Sequence, residues 1–191
     1  MSSTSAPFGL RPAYHPSGLD RAVTLAGGIA SGYASNILKG QPIKMNTAGW
    51  IEIVTGGGAF LGAFAGVEWT DATGRRRVSN YWPANESFQV GSVIAYYYSD
   101  PNIVYEVQAA GSLTQAAVGD EFDLSNETAG STTTGLSACT LSTSAAGSGQ
   151  LAQMRVINLA PYPDNAWGDS YTIVQATIAE YQFAGAAGTA V

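Results

Sequence analysis

The sequence predicts an all-β fold, an antiparallel β-barrel or β-sandwich with an extended N-terminal arm and little helix. Apolar residues alternate with polar ones over Asn102–Ala109 and Asp120–Leu124, which is the period of two expected for a half-buried strand. Further segments rich in β-branched and aromatic residues are bounded by Gly, Pro, Asn, Asp or Ser, as strands are. No segment shows the period of a helix longer than two turns. Many short strands with such turns are typical of antiparallel barrels and sandwiches.

The first twenty residues contain three prolines and two glycines, without an apolar period. Proline favours extended backbone, so we expect an arm over residues 1–25 that carries apolar and arginine anchors to a neighbouring subunit. The alternative is a ragged terminus or a first edge strand packed on its own domain. The remainder, residues 26–191, is predicted to be a β-rich body, with a division into two β subdomains around 129–150 as an alternative.

Within the body, residues 22–36 contain three glycines, which argue against a stable helix there. In Gly56–Val67, Phe60 and Phe64 alternate with glycines, a pattern that indicates a core strand with close backbone approach. A flexible turn is expected at its start, since the three consecutive glycines lack the Lys-Ser/Thr of a phosphate loop. The other predicted strands are Pro42–Met45, Trp50–Val54, Val93–Tyr98, Ala138–Leu141, Leu151–Leu159 and Tyr171–Phe183.

Charged residues are scarce, at 12% of the chain, and they are unevenly distributed. Residues 1–85 hold seven bases against four acids, whereas residues 86–191 hold one base against ten acids. A surface of neutral polar groups can be covered by a partner without desolvating unpaired charges. The composition therefore favours a subunit of a permanent assembly that attaches by its basic, N-terminal side. The alternative is that these charges are mixed over one folded surface.

The sequence lacks the residues that most catalytic sites need. Its one histidine is His15, in the predicted arm, and its one thiol is Cys139, expected to be a small buried apolar group. A Ser-His-Asp system, a Cys-His nucleophile or a zinc site is therefore not predicted, and no cofactor is. Two carboxylates could still serve a glycoside hydrolase. The acidic stretch 120–126 departs from the calcium-loop spacing.

Candidate interface residues are apolar and basic residues at two places. Phe8, Leu10, Arg11 and Tyr14 lie in the predicted arm, and Arg75, Arg76 and Arg77 follow a predicted turn at a hairpin tip. Arginine suits carboxylate capture, so this tip is expected to dock on an acidic neighbour, the alternative being a solvated loop. A nucleic-acid partner is not predicted, because the acidic second half would repel phosphates. No apolar segment is long enough to predict a membrane span.

Three stretches resemble small virion proteins of tailed bacteriophages, above all the capsid decoration, or cement, proteins. They are Ala6-Pro7-Phe8-Gly9-Leu10-Arg11-Pro12, Phe64-Ala65-Gly66-Val67-Glu68-Trp69-Thr70-Asp71 and Ser79-Asn80-Tyr81-Trp82-Pro83. The resemblance implies a β-rich protein, commonly a homotrimer, made in the host cytoplasm and located on the capsid exterior. There it would bind the major capsid protein and tie neighbouring capsomers together. The family has no catalytic residues to transfer to this chain.

Two alternatives to the cement function remain at this point. A phage fibre or adhesin subunit would use its four Trp and ten Tyr side chains to stack on host glycans. A glycan-cleaving β protein would need a cleft with two carboxylates about 5 to 10 Å apart.

Overall fold

A computed structural model describes residues 2–17, 24–147 and 149–184. Strands make up 41% of the chain and helix 2%, and the sheets are antiparallel, which confirms the all-β prediction. The strands are β1 (Arg11–Tyr14), β2 (Thr24–Gly27), β3 (Pro42–Met45), β4 (Ile51–Ile53), β5 (Gly62–Thr70), β6 (Arg76–Ser79), β7 (Ile94–Tyr98), β8 (Val104–Gln108), β9 (Glu121–Ser125), β10 (Gly130–Ser131), β11 (Leu136–Ser137), β12 (Thr140–Ala145), β13 (Met154–Leu159) and β14 (Ile173–Ile178). A single turn of 3-10 helix spans Gln115–Ala117.

The first sheet is built from residues 24–98, in the strand order β2-β7-β5-β3-β4. The nine-residue β5 is its centre. One half of β5 pairs with β3 through Ala63, and the other half pairs with β6 through Glu68, while β7 lies on its other side. β5 therefore connects the β3–β4 pair to β6 and to β7.

The second sheet contains β1 and the strands after residue 103, in the order β1-β8-β14-β13-β9-β12. Its last strand curves back towards β8, where Ala109 and Leu141 form one isolated bridge. The arrangement is sandwich-like, and no barrel is closed within the described residues. A two-stranded hairpin of β10 and β11 lies outside both sheets.

The change from one sheet to the other occurs in the turn at residues 99–103. The alternative of two β subdomains put the joint between them around 129–150. Residues 130–137 form the small hairpin, and β12 is already part of the second sheet. The Ser, Thr and Gly content of this stretch therefore reflects a hairpin turn and an edge strand.

Each sheet has its own hydrophobic core. Phe64, Trp69 and Trp82 belong to the core of the first sheet, and Tyr105 and Cys139 belong to that of the second. Cys139 is fully buried, as predicted, and burial raises the pKa of its thiol. Phe60 of the first half of the chain packs into the second core. Tyr181, which is partly buried, packs against both cores and thereby connects them.

The described part of the predicted arm, residues 2–17, packs on the body of its own subunit, as in the alternative of a first edge strand. β1 pairs with the edge of β8, Arg11 opposite Glu106, and Leu10 is 1% exposed within the second core. Ser2 is also buried, its N–H donating to Asp164 O and its hydroxyl to Asp169. Burial of Leu10 and the ladder to β8 hold the segment on its own subunit. Residues 18–23 of the predicted arm lie outside the described residues.

The N-terminal segment also explains why both faces of β8 are buried. The alternation over Asn102–Ala109 predicts one polar, solvated face, yet Glu106 and Gln108 are buried too. Gln108 Oε1 accepts a hydrogen bond from Ala6 N at 2.9 Å, and its Nε2 donates to Thr4 O at 3.1 Å. The polar face of β8 is therefore the surface on which the N-terminal segment is held.

Buried glutamine amides recur as connections between distant segments. Gln41 accepts from Leu38 N and donates to Glu127 O, and Gln153 accepts from Leu124 N and donates to Gly58 O. Each side chain thus satisfies one backbone donor and one backbone acceptor, as Gln108 does. Such bonds contribute about 1 kcal/mol each, and leaving their buried partners unpaired costs more. A chain with few charges fixes its loops with neutral amides.

Gly62 allows two strands to approach more closely than any side chain would permit. A Cβ at this position would lie 1.7 Å from Tyr98 O, so only glycine fits where β5 meets the end of β7. The close backbone approach predicted for Gly56–Val67 is therefore confirmed at this residue.

We expect Gly62→Ala to lower the free energy of unfolding by at least about 2 kcal/mol, because backbone must move to accommodate the methyl group. Gly56→Ala is the matched control, since Gly56 also has a positive φ (78°) but its Cβ would meet nothing within 4 Å. Urea unfolding of both variants measures the difference. Equal losses would contradict the assignment to a steric clash.

Candidate functional site

A pocket of about 430 Å³ lies where the N-terminal segment, the first sheet and the β10–β11 hairpin meet. Its lining residues are mostly apolar or aromatic, with two basic side chains among them. They are Phe8, Leu10, Arg11, Pro12, Ala13, Tyr14, Lys39, Gly40, Phe64, Tyr98 and Leu136. All four candidate interface residues predicted near the N-terminus are in this set.

The floor of the pocket is formed by backbone contacts that only small residues allow. Leu10 N donates to Gly40 O at 2.7 Å, and Gly40 N donates to Phe64 O at 2.8 Å. A Cβ on Gly9 would lie 2.5 Å from Gly40 O, and Gly9 has a φ of 73°. The glycine therefore lets the N-terminal segment rest directly on the first sheet. Leu10, predicted as an anchor on a neighbouring subunit, is buried in the floor of this pocket within its own subunit.

The outer wall of the pocket is the β10–β11 hairpin, which pairs with the chain at Lys39. Lys39 N donates to Gly135 O at 2.9 Å, and its carbonyl accepts from Ser137 N at 3.0 Å. This bridge places Lys39 beside Leu136, whose side chain is 42% exposed. The pocket therefore has a solvent-exposed rim that carries both an apolar group and a cation.

Arg11 is fixed at the opposite side of the pocket. Its guanidinium forms an ion pair with Glu106 at 2.6 Å, contacts the hydroxyl of Tyr162 and lies 4.5 Å from the centre of the Phe8 ring. Tyr162 also donates to Glu106 at 2.5 Å. Burial and this hydrogen bond raise the pKa of Tyr162. Arg11 therefore already has its carboxylate partner within the subunit and serves to hold Phe8 in place.

Lys39 differs from Arg11 in having no such partner. Its side chain is exposed and forms no ion pair among residues 2–17, 24–147 and 149–184. No carboxylate lines the pocket either. The rim thus presents one uncompensated positive charge.

The arginine tip lies at the other end of β5 from the pocket. Phe64 lines the pocket and Asp71 begins the tip, and the six strand residues between them separate the two by about 20 Å. Arg76 pairs with Glu68 at 2.6 Å and Arg77 with Asp71 at 2.9 Å. Only Arg75 of the three has no ion pair with a described residue, so the tip offers one free cation instead of three.

Asp71 organises the tip. Its Oδ1 accepts from the Thr73 hydroxyl at 2.7 Å and from the N–H groups of Thr73 and Arg75 at 2.9 Å each. The Thr73 hydroxyl, the N–H of Arg75 and the Arg77 guanidinium hold the pKa of this carboxyl well below its usual range. Asp71 therefore fixes the turn that carries the arginines.

The aromatic side chains offer few platforms for sugar stacking. Trp69 and Trp82 are buried and pack edge-on, with ring centres 5.5 Å apart, and Trp82 packs in the same way on Phe88. Trp50 is 42% exposed. Half of the tryptophans counted for the glycan-binding alternative thus serve the core.

Carboxylates on the second sheet have structural partners. Glu121 accepts from Ala152 N and pairs with Arg155, and Asp123 accepts from Gln153 N. Burial, with the charges of Asp123 and Glu121, raises the pKa of nearby Glu180. The 430 Å³ pocket and a smaller one beside Thr128 are both lined without carboxylates.

The described residues contain no group of three or more His, Cys, Asp or Glu side chains placed to hold a metal ion. His15 lies 3.2 Å from Asp100 and 2.7 Å from the Ser17 hydroxyl, at the end of β1. Within the described ranges, no helix is long and apolar enough to cross a membrane. Comparison of the chain with protein-family models, characterised proteins and solved structures returns no match.

The sequence predicted interface residues near the N-terminus that line the pocket, and it did not predict that the other lining residues lie beside them. Lys39 and Leu136 are almost a hundred residues apart, and nothing in either local pattern indicates that they are neighbours. The role of Gly40 as a contact point for Leu10 likewise depends on long-range packing. Phe64 was predicted as a core residue, and it is both core and pocket floor.

We expect Gln108→Ala to loosen the N-terminal segment while the sheet remains folded. The substitution leaves Ala6 N and Thr4 O without their partner, at a cost of about 1 to 3 kcal/mol. Faster amide exchange at Ala6 and faster proteolysis within residues 2–10 measure the change. Gln115→Ala, at an exposed glutamine, is the control and should alter neither. Unchanged exchange at Ala6 would show that Gln108 does not hold the segment.

We expect Asp71→Asn to reduce stability at pH 7 and to reduce it less as the pH falls. The folded pKa of Asp71 lies below the unfolded value of about 4, so its stabilising effect is present above that pH and is lost as the pH falls towards the folded pKa. Thermal unfolding from pH 7 to pH 2 tests this. Asp120→Asn, at an exposed carboxylate without a described side-chain hydrogen bond, is the control. Parallel pH profiles for wild type and Asp71→Asn would refute the role of this carboxylate.

Proposed function

We propose that this chain is a structural virion protein that binds the outside of a phage capsid and stabilises it by cross-linking neighbouring major capsid subunits. The observation that carries the proposal is the apolar pocket on the N-terminal side, with its exposed apolar rim. Tyr14 and Leu136 leave 44% and 42% of their surfaces in solvent at this rim. Exposed apolar groups around a concave site are typical of an interaction surface.

The charge distribution supports an assembly role. Residues 24–98 hold five bases and four acids, whereas residues 99–184 hold one base and nine acids. These ranges correspond to the first sheet and to most of the second, so the uneven distribution along the chain is also uneven in space. Attachment by the side that contains the pocket keeps most of the acidic surface away from the contact.

The resemblance to decoration proteins adds the capsid to this proposal. Of its three stretches, residues 6–12 contribute four lining residues to the pocket. Residues 64–71 follow β5 to the start of the tip, and Trp82 in the third stretch is fully buried. The second and third stretches therefore support the fold, and the first supports the contact surface.

The way in which the subunit attaches differs from the expected arm. Residues 2–14 build a rigid surface on the body, so the contact is a preformed pocket that needs little ordering on binding. Many copies, and trimers of copies, engage the shell at once, so each contact can be weak while the whole layer resists outward pressure.

Purified chain added to capsids that lack it, from the phage that encodes it, should bind saturably and in many copies over the outer shell. Sedimentation of the mixture gives the copy number, and electron cryomicroscopy of the particles locates the chain. Deletion of residues 1–20 is unsuitable as a test, because it removes Leu10 from the core and β1 from the sheet. A few copies confined to the tail would favour the fibre alternative, and no binding would reject the proposal.

A further inference from the structure

The pocket has the chemistry of a receptor for an apolar side chain. Leu10 and Phe64 form an apolar floor, and Tyr14 and Leu136 form an exposed apolar rim. Its volume of about 430 Å³ falls within the range of small binding sites. Filling it with an apolar group would remove exposed surface of Tyr14 and Leu136 from water, at about 25 cal/mol for each Å² of apolar area buried.

The positive charge at the rim of the pocket favours a ligand that carries a negative charge in addition to an apolar group. Arg11 is neutralised by Glu106, but Lys39 has no carboxylate partner among the described residues. The lining contains no acidic residue. An occupant with a carboxylate next to its apolar group would therefore compensate the one free charge of the rim.

The edge of β1 argues for side-chain insertion and against addition of a strand. β1 is an edge strand of the second sheet, at the opposite edge from β12, and its four residues all line the pocket. Pro12, in its middle, has no N–H, so an added strand would lose a hydrogen bond there. Recognition by a side chain in the pocket does not need that donor.

We propose that the pocket receives one large apolar side chain of the major capsid protein, and that a carboxylate beside this side chain pairs with Lys39. The proposal names the contact of the capsid-binding function above and rests on it. The partner segment is thus apolar and acidic, although the chain itself has a net charge of −6. The orientation follows, with Lys39 and the edge strand β1 facing the shell.

Two pairs of variants test the pocket against capsids that lack the chain. Lys39→Glu is matched by Arg75→Glu, since both reverse an exposed charge without an ion pair in the described structure. Leu136→Asp places a carboxylate beside Lys39 and is matched by Leu151→Asp, at a leucine 71% exposed outside the pocket lining. We expect each pocket variant to weaken binding about tenfold and to reduce its salt dependence, and each control to change it less than about twofold.

Cross-linking of decorated capsids with a carbodiimide, which joins an amine to a carboxylate without a spacer, identifies the partner. Mass spectrometry should find Lys39 joined to an acidic residue of the major capsid protein. A link only to another copy of this chain, or no link at Lys39, would overturn the assignment. Circular dichroism and thermal unfolding of the four variants ensure that only folded proteins are compared.

The outcomes separate the two proposals. If wild type binds and both pocket variants bind as well as their controls, the pocket assignment fails and the capsid function stands. If Arg75→Glu weakens binding and Lys39→Glu does not, the tip is the contact and the pocket is not. If wild type does not bind capsids at all, both proposals fail.

Discussion

The docking of residues 2–14 on β8 is the contact on which the rest of the structure depends. It buries Leu10 in the second core, covers the polar face of β8 and closes one wall of the pocket. Without this segment, the side chains of Glu106 and Gln108 would lie on a solvated strand face. Lys39 would then lie beside a shallow groove instead of a pocket. The same segment therefore completes the hydrophobic core and creates the candidate binding surface, which links the stability of the fold to its proposed function.

Neutral side-chain amides hold loops and segments together in this protein, a role that ion pairs often have in other proteins. Gln41, Gln108 and Gln153 are buried, and each bonds one backbone N–H and one backbone C=O, of which only the Leu38 N–H bonded by Gln41 is local in sequence. An amide buried with both partners satisfied avoids the desolvation cost that a buried ion pair carries. This explains how a chain with 12% charged residues fixes its long connections. Charged groups are thus scarce in the buried connections of this protein as well as on its surface.

Sequence reasoning identified the strands because their signal is local, and it failed where the answer depended on long-range packing. Pro42–Met45 is a strand with the predicted bounds, and the predicted glycine approach is present at Gly62. Proline at position 12 correctly indicated extended backbone, since Pro12 lies in β1, but it carries no information on whether that backbone lies on its own subunit or on another. Leu10 showed this limit most clearly, since an apolar residue near a terminus fits an external anchor and a core residue equally well.

The ion pairs explain why the free charges, and not the total charge, indicate the direction of attachment. Most of the described bases are compensated within their own sheet, as Lys44 is by Glu52 and Arg155 by Glu121. Exposed pairs of this kind contribute little to stability, but they cancel the local field that would attract a partner.

Lys39 and Arg75 are left as isolated positive positions on an acidic protein, one beside an apolar pocket and one on a turn. A cation beside an apolar pocket can combine charge recognition with apolar burial, and a cation on a solvated turn provides charge alone. Of the two, Lys39 is therefore the stronger candidate for a specific contact.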